Sequence, residues 1–211
     1  MTLPGTFGFL VAMHQKQVPI IFMFVRDGSR DLDLMLTREV GVMKNLLESA
    51  GYSVDIATAS GEPMVGETTT LTPTVNLGEV DMADYAGIAL PCMGPAAGYP
   101  MPEKVDALVA QAVMSGLPVA ASRGSISTLA KAGGINNRKY AFATKVDTDK
   151  RPEFAGGTFM GTGVVRDANI ITSAICPMAA RDLDMTDGTE GLTQAFIEAL
   201  ADAGGSPSTR L

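Results

Sequence analysis

The stretch Val18-Pro-Ile-Ile-Phe-Met-Phe-Val25 indicates the fold class of this chain. It is continuously apolar, which is typical of a strand buried on both faces of a sheet. A polar segment at 26–31 follows, and apolar residues then recur at helical spacing over 32–50. Gly51 is a natural helix stop, and 52–57 has the pattern of a second strand. Together these segments predict a right-handed β-α-β unit.

The rest of the chain continues the same alternation of strands and helices. This pattern predicts an α/β domain with a doubly wound, mostly parallel sheet and helices on both faces. The predicted strands lie at 85–90, 117–121, 142–146 and within 163–173, where a turn at 166–169 is predicted. The predicted helices lie at 102–114, 126–132 and 189–203, and a short hairpin is predicted within 61–82.

Size and composition favour one domain over 18–203, between an N-terminal arm at 1–17 and a flexible tail at 204–211. The chain has 211 residues, of which 46% are hydrophobic, and this is enough for a full core. A net charge of −7 gives no electrostatic reason to bind nucleic acid. The longest apolar stretch is too short to span a membrane.

The N-terminal arm is apolar, but it lacks the basic start and the cleavage site of a signal peptide. We therefore expect a cytoplasmic protein whose arm packs on the domain or on a partner subunit. A cloning remnant and a trimmed export segment are the alternatives.

The chain has two cysteines, Cys92 and Cys176, and one histidine, His14. Two thiols do not make a disulfide framework in a chain of this length, and these residues do not form a zinc-binding pattern. No Gly-x-Gly-x-x-Gly opens a helix after a strand. We expect neither a metal nor a cofactor.

Four stretches at the predicted strand ends and helices give a family resemblance. They occur in the order and spacing of the ThiJ/PfpI superfamily, a branch of the class I glutamine amidotransferase-like, flavodoxin-like fold, and the chain resembles that superfamily from about 18 to 203. The stretches are Asp84-Tyr-Ala-Gly-Ile-Ala-Leu-Pro91, Gly116-Leu-Pro-Val-Ala-Ala121, Leu129-Ala-Lys-Ala-Gly133 and Ile170-Ile-Thr-Ser173.

The resemblance implies a reactive site at the carboxyl edge of the sheet, where such folds bind ligands. The family places a cysteine on a tight strand-to-helix elbow, and Arg123 holds that position here. Asp33 best matches the carboxylate that pairs with the thiol, with Asp31 next. Where the family has a Gly-Gly pair, this chain has Cys92-Met93, with Gly94 one residue on. The usual cysteine mechanism therefore does not transfer at its usual place.

The sequence leaves the register of the elbow open, because small neighbours flank either Arg123 or Ser122. A central Arg123 would hold an anion or form an internal pair with Asp33. A central Ser122 is a candidate nucleophile that lacks an evident base, since the only histidine, His14, lies on the arm.

A relocated thiol is the other possibility for the site. Cys92 and Cys176 both follow predicted strands at the edge that would border the pocket, and Cys176 has the better case because a proline fixes the loop after it. An arginine or a helix start would lower the pKa of such a thiol. The alternative is that both cysteines are small buried hydrophobes.

These observations lead to a first functional hypothesis. We expect a cofactor-free enzyme that acts on a small reactive molecule, carbonyl-bearing or isonitrile-like, by hydration, hydrolysis or lyase chemistry. The alternatives are a catalytically silent, stress-related protein that binds an anion or small molecule, and a structural subunit. In each case we expect a homodimer. The expected catalytic residues are Asp33, Cys176 and Cys92, and the expected substrate-binding residues are Arg123, Ser122, Met93, Gly94 and Gly124, with the backbone near Met93 and Gly124 as oxyanion donors.

Overall fold

The computed structural model describes residues 17–94 and 98–204. It contains a central sheet of six strands in the order β2-β1-β5-β6-β10-β9, in which only β9 runs antiparallel to its neighbour. These strands are β1 (Ile20–Phe24), β2 (Ser53–Ala57), β5 (Gly87–Leu90), β6 (Val119–Ser122), β9 (Val164–Asp167) and β10 (Ile170–Ser173). Two small sheets lie outside it, formed by β3 (Met64–Val65) with β4 (Thr70–Leu71) and by β7 (Lys139–Tyr140) with β8 (Thr158–Phe159).

Helices cover both faces of the central sheet, as the alternation of elements predicts. Alternate residues of each strand point to opposite faces, so Phe22 and Ile88 join one apolar cluster whereas Met23 and Ala89 join the other. The helices are α1 (Leu32–Met35), α2 (Val42–Ser49), α3 (Glu103–Met114), α4 (Ile126–Lys131), α5 (Lys145–Asp149), α6 (Pro177–Leu183) and α7 (Thr189–Asp202). Helices α2 and α7 pack on one face, and α3 and α4 pack on the other.

A π-helical segment, Leu36–Gly41, interrupts the predicted first helix between α1 and α2. Its wider turn carries Leu36, Glu39 and Val40 into the protein, and all three are buried. Such π turns occur frequently at functional sites. The sequence pattern predicts a regular helix here and does not reveal the insertion.

The region from 139 to 149 differs from the sequence prediction of a strand at 142–146. The chain instead forms β7 and then α5, because the Thr144 side chain accepts a hydrogen bond from the Asp147 backbone and caps a helix start. Helix α6 was also missed, although Pro177 at its first turn is a typical start signal. The predicted hairpin exists as β3 and β4.

Other sequence predictions lie mostly or wholly outside the described residues. They include the N-terminal arm up to residue 16, with His14, and the tail beyond Gly204. Within 17–94 and 98–204, no helix is both long and apolar enough to cross a membrane.

The centre of the sheet depends on a close approach at Gly87. A Cβ at this position would lie 2.9 Å from the backbone oxygen of Pro118 and 2.9 Å from a methyl group of Leu200. We expect Gly87→Ala to lower the free energy of unfolding by about 1–3 kcal/mol, because a backbone oxygen cannot move aside. Gly163→Ala is the control, since nothing lies within 4 Å of that added carbon. Equal stabilities of the two variants in urea would contradict the prediction.

Candidate active site

The candidate site lies at the carboxyl edge of the central sheet, in a cavity of about 320 Å³. The ends of β5 and β6 and the start of α6 meet there, as predicted for a sheet of this kind. Ten residues line the cavity: Arg30, Cys92, Gly94, Arg123, Gly124, Cys176, Met178, Ala179, Asp182 and Leu183. Five of them are among the residues that the sequence predicts for the site.

A buried glutamate, Glu39, holds the floor of this site together. Its side chain has 0% exposure and accepts three hydrogen bonds: from the backbone of Cys92 at 3.0 Å, from the backbone of Met93 at 2.9 Å, and from the Ser122 hydroxyl at 2.7 Å. The π-helical segment places Glu39 on the face of the helix that packs on the sheet. One carboxyl group therefore ties the first helix to the ends of β5 and β6.

Burial and the nearby negative charge on Cys176 raise the pKa of Glu39 to about 8. The hydrogen bonds from Met93, Ser122 and Cys92 act in the opposite direction and are outweighed. Glu39 is therefore mainly protonated at neutral pH, as expected for a carboxyl group that water cannot reach.

The elbow between β6 and α4 has Arg123 at its centre, which resolves the register that the sequence leaves open. Arg123 adopts a φ of 36°, whereas Ser122 before it has the extended φ of −99° that ends the strand. A positive φ is strained for a residue with a side chain. Arg123 Nη1 donates to the backbone oxygen of Ala174 at 2.9 Å, which fixes the guanidinium group beside the loop after β10.

The turn after β5 is also strained at Met93, which has a φ of 59°, whereas the φ of 49° at Gly94 is ordinary for glycine. This conformation directs the backbone N–H groups of Cys92 and Met93 at the Glu39 carboxyl group. The Ser125 hydroxyl donates to the Pro91 backbone oxygen at 2.7 Å and links this turn to the elbow. The hydrogen bonds with Glu39 and Ser125 hold this strained turn in place.

Cys92 and Cys176 lie side by side in the cavity wall. Interaction with the neighbouring Cys176 thiol, together with burial, raises the pKa of Cys92 well above its ordinary value. The same interaction is the main reason why the pKa of Cys176 falls to about 6. The backbone groups of Ala179 and Met178 and the positive charge of Arg123 stabilise the Cys176 thiolate further.

These opposite shifts favour the thiolate form of Cys176 and the protonated form of Cys92. A thiolate is the nucleophilic form of cysteine. Cys176 faces the cavity although only 1% of its surface is exposed, so access is limited to a molecule that enters the cavity.

Asp33, the carboxylate that the sequence predicts for the site, lies elsewhere and does not line the cavity. Its oxygens accept hydrogen bonds from the backbone groups of Glu67, Thr68 and Thr69 at 2.7–2.9 Å and from the Thr68 hydroxyl at 2.9 Å. Asp33 therefore anchors the turn between β3 and β4. It does not pair with Arg123 either, and Asp31 binds Arg181. The carboxyl group that the structure places beside the two thiols is that of Glu39.

Of the two backbone groups expected as oxyanion donors, that of Met93 is already engaged, because it donates its N–H to Glu39. The backbone of Gly124 lowers the pKa of the Cys92 thiol. The guanidinium groups of Arg30 and Arg123 remain in the cavity wall and can hold an oxyanion or a carboxylate.

Sequence reasoning missed Glu39, although a signal was present. It stands four residues after Met35 and four before Met43, so it interrupts the apolar stripe of the predicted helix. A charge on the buried face of a helix is rarely tolerated without partners. Nothing in the sequence identifies those partners, because they follow strands that start 48 and 80 residues later.

A larger cavity of about 490 Å³ lies near α5 and β8. It is lined by Lys145, Arg151, Phe154 and their neighbours, and its one carboxylate, Asp149, is exposed and paired with Lys145. It contains no thiol and no buried carboxyl group, so we place the candidate site in the smaller cavity. Within the described residues no cluster of His, Cys, Asp and Glu could hold a metal ion.

Comparisons with known proteins agree with this fold. The sequence model of the DJ-1/PfpI family matches residues 20–182. A ThiJ/PfpI domain protein from Brachyspira murdochii has 14% identity and a TM-score of 0.64, over 87% of this chain and 96% of that one. DJ-1beta of Drosophila melanogaster has 16% identity and a TM-score of 0.58, over 89% and 96%. No curated protein sequence matches. Identities this low show the fold alone.

The raised pKa of Glu39 predicts a pH-dependent stability. The folded state binds the proton more tightly than the unfolded chain, whose glutamate titrates near 4.3, so this stabilisation is present at acidic pH and is lost as the pH rises towards 8. We expect the free energy of unfolding of Cys176→Ser, which has no thiolate at this position, to fall over that range. Adding Glu39→Gln should remove this dependence. An unchanged slope in the double variant would contradict the assignment.

Asp33 should behave in the opposite way. Hydrogen bonds from the backbone of Thr68 and Glu67 lower its pKa, so its contribution is present at neutral pH and is lost as the pH falls through that lowered value. We expect Asp33→Asn to lower the melting temperature at pH 7, with a smaller difference in acid, and to leave the alkylation rate of Cys176 unchanged. Slower alkylation of Cys176 in Asp33→Asn would mean that Asp33 does influence the site and would contradict this prediction.

Proposed function

Because the chain belongs to the DJ-1/PfpI family, we propose that it is a thiol-dependent, cofactor-free enzyme that acts on a small electrophilic molecule. Cys176 is the proposed nucleophile, in place of the elbow cysteine typical of similar proteins. The observation that supports this proposal most strongly is the position of Cys176 in the wall of a cavity that also contains Arg123 and Cys92.

The proposed first step is attack of the Cys176 thiolate on a carbonyl or isonitrile carbon. A carbon–sulfur bond forms, and the electron pair of the carbonyl double bond moves to oxygen. Arg123 lies where it can stabilise that developing charge, and the thiol of Cys92 can supply the proton that the oxygen needs. With an isonitrile, water then adds to the sulfur-bound carbon, and the carbon–sulfur bond breaks to release a formamide and the Cys176 thiolate. With an acyl substrate, collapse of the oxyanion expels the leaving group, and water then breaks the carbon–sulfur bond to release the acid and the thiolate.

Glu39 is a positioning residue in this proposal. It does not line the cavity, so it has no direct route to a substrate. It fixes the turn that carries Cys92, and because it is mainly neutral at pH 7 it adds little negative charge beside the Cys176 thiolate. A permanently charged group at this place would oppose the thiolate by like-charge repulsion.

The two arginines in the cavity wall favour substrates that carry a carboxylate or another anionic group. Guanidinium groups bind carboxylates through paired hydrogen bonds. Small 2-oxo acids combine such a group with an electrophilic carbonyl carbon. They are therefore the first compounds that we would test, followed by uncharged aldehydes and isonitriles.

The lowered pKa of Cys176 predicts fast alkylation at neutral pH. We expect its rate with iodoacetamide to rise with a midpoint near pH 6, whereas Cys92 stays unlabelled until the protein unfolds. Arg123→Ala should move the midpoint upward by removing a positive charge. Cys176→Ser should abolish turnover of any substrate found. An inert Cys176, or turnover that survives Cys176→Ser, would contradict the proposed mechanism.

The second candidate function is that of a catalytically silent binding protein, which Arg30 and Arg123 also favour. Such a protein would gain thermal stability with a small carboxylate, and Arg123→Ala would lose that gain. Turnover that depends on Cys176 decides against this candidate.

The proposal includes a cytoplasmic location and a homodimer, as the sequence predicts. Sedimentation of the full chain at micromolar concentration tests the homodimer, and a monomer would contradict it.

A further inference from the structure

Cys92 and Cys176 form a pair that nucleophilic catalysis by itself does not require. A single activated thiol is sufficient for attack on a carbonyl carbon. Here a second thiol, from a different strand end, lines the same cavity and lies close enough to the first one to shift its pKa. Cys92 follows β5 and Cys176 follows β10, and these strands are separated only by β6.

From this juxtaposition we propose a second activity: the two thiols reduce small hydroperoxides and close into a reversible Cys92–Cys176 disulfide. The inference shares the reactive Cys176 thiolate with the proposed function and otherwise stands apart from it. It requires a partner thiol within reach, which the carbonyl chemistry does not.

The first step is oxidation of Cys176. Its thiolate attacks the outer oxygen of the hydroperoxide, a sulfur–oxygen bond forms, and the oxygen–oxygen bond breaks. The sulfur becomes a sulfenic acid, and the departing alkoxide takes a proton from water to give an alcohol. The Arg123 guanidinium group, fixed by Ala174, faces the thiolate and can stabilise the departing charge.

The second step is closure of the disulfide. The Cys92 sulfur attacks the sulfenic sulfur, a sulfur–sulfur bond forms, the sulfur–oxygen bond breaks, and the oxygen leaves as water with the proton of Cys92. The two thiols thus lose two electrons to the peroxide. A small dithiol returns these electrons by thiol–disulfide exchange and completes the cycle.

The surroundings of Cys92 suit this resolving role. The raised pKa of Cys92 keeps it protonated, so it carries the proton that leaves with the sulfenic oxygen. The backbone of Gly124 acts in the opposite direction and favours the deprotonated form of Cys92 at that stage. Both cysteines are buried, so a large external thiol cannot easily approach the sulfenic acid on Cys176, and Cys92 can react with it first.

The test is mass spectrometry of the reduced protein after one equivalent of hydrogen peroxide, with rapid alkylation of the remaining thiols. We expect the parent to lose two hydrogens and both alkylation sites, and peptide mapping to join Cys92 to Cys176. Dithiothreitol should restore both sites. In Cys92→Ser we expect Cys176 to gain one and then two oxygens without a disulfide. Cys176→Ser should leave Cys92 unoxidised.

Continuous consumption of hydrogen peroxide with dithiothreitol as reductant tests the cycle. We expect the parent to turn over and each single variant to lose turnover by at least tenfold relative to it. If the parent gains oxygens without a disulfide, or forms only disulfides between chains, the inference is wrong while the proposed function stands. If Cys176 resists both peroxide and iodoacetamide, both proposals fail.

Discussion

The buried carboxyl group of Glu39 joins three parts of the chain that are distant in sequence. A polar group without water must find hydrogen bonds inside the protein, and Glu39 finds them on Cys92, Met93 and Ser122. Each of those donors stands at a strand end where a strained turn begins. The strained turns would cost free energy if they were isolated, and the carboxyl group helps to hold them in place.

The electrostatics of the site depend on the same arrangement. Glu39, Cys92 and Cys176 are acids packed together, so they cannot all ionise in a space that excludes water. The thiolate is favoured on Cys176, where the Cys92 thiol, two backbone N–H groups and Arg123 lower the pKa. Because the three acids compete for one negative charge, the pKa values of Glu39 and Cys92 are raised and both groups are mainly protonated at neutral pH.

Arg123 stands at the strained elbow where the resemblance implies a cysteine. The elbow has the strained backbone expected from the resemblance, but it presents a cation to the cavity. A cation at this place cannot attack an electrophile, yet it lowers the pKa of a thiol on the neighbouring loop. In our proposal the nucleophile has therefore moved from one strand end to another while the cavity has stayed.

The sequence by itself determined the sheet and most of its helices, because apolar runs such as 18–25 and helical spacing such as 32–50 are local patterns that report burial directly. It also placed Cys92, Cys176 and Arg123 at one edge, since parallel strands end together. Only the tertiary structure decided that Glu39 lies at the site while Asp33 lies outside it, that Arg123 is the centre of the elbow, and that the two thiols line one cavity. Those facts depend on a π-helical turn and on contacts across more than fifty residues, which no local pattern encodes.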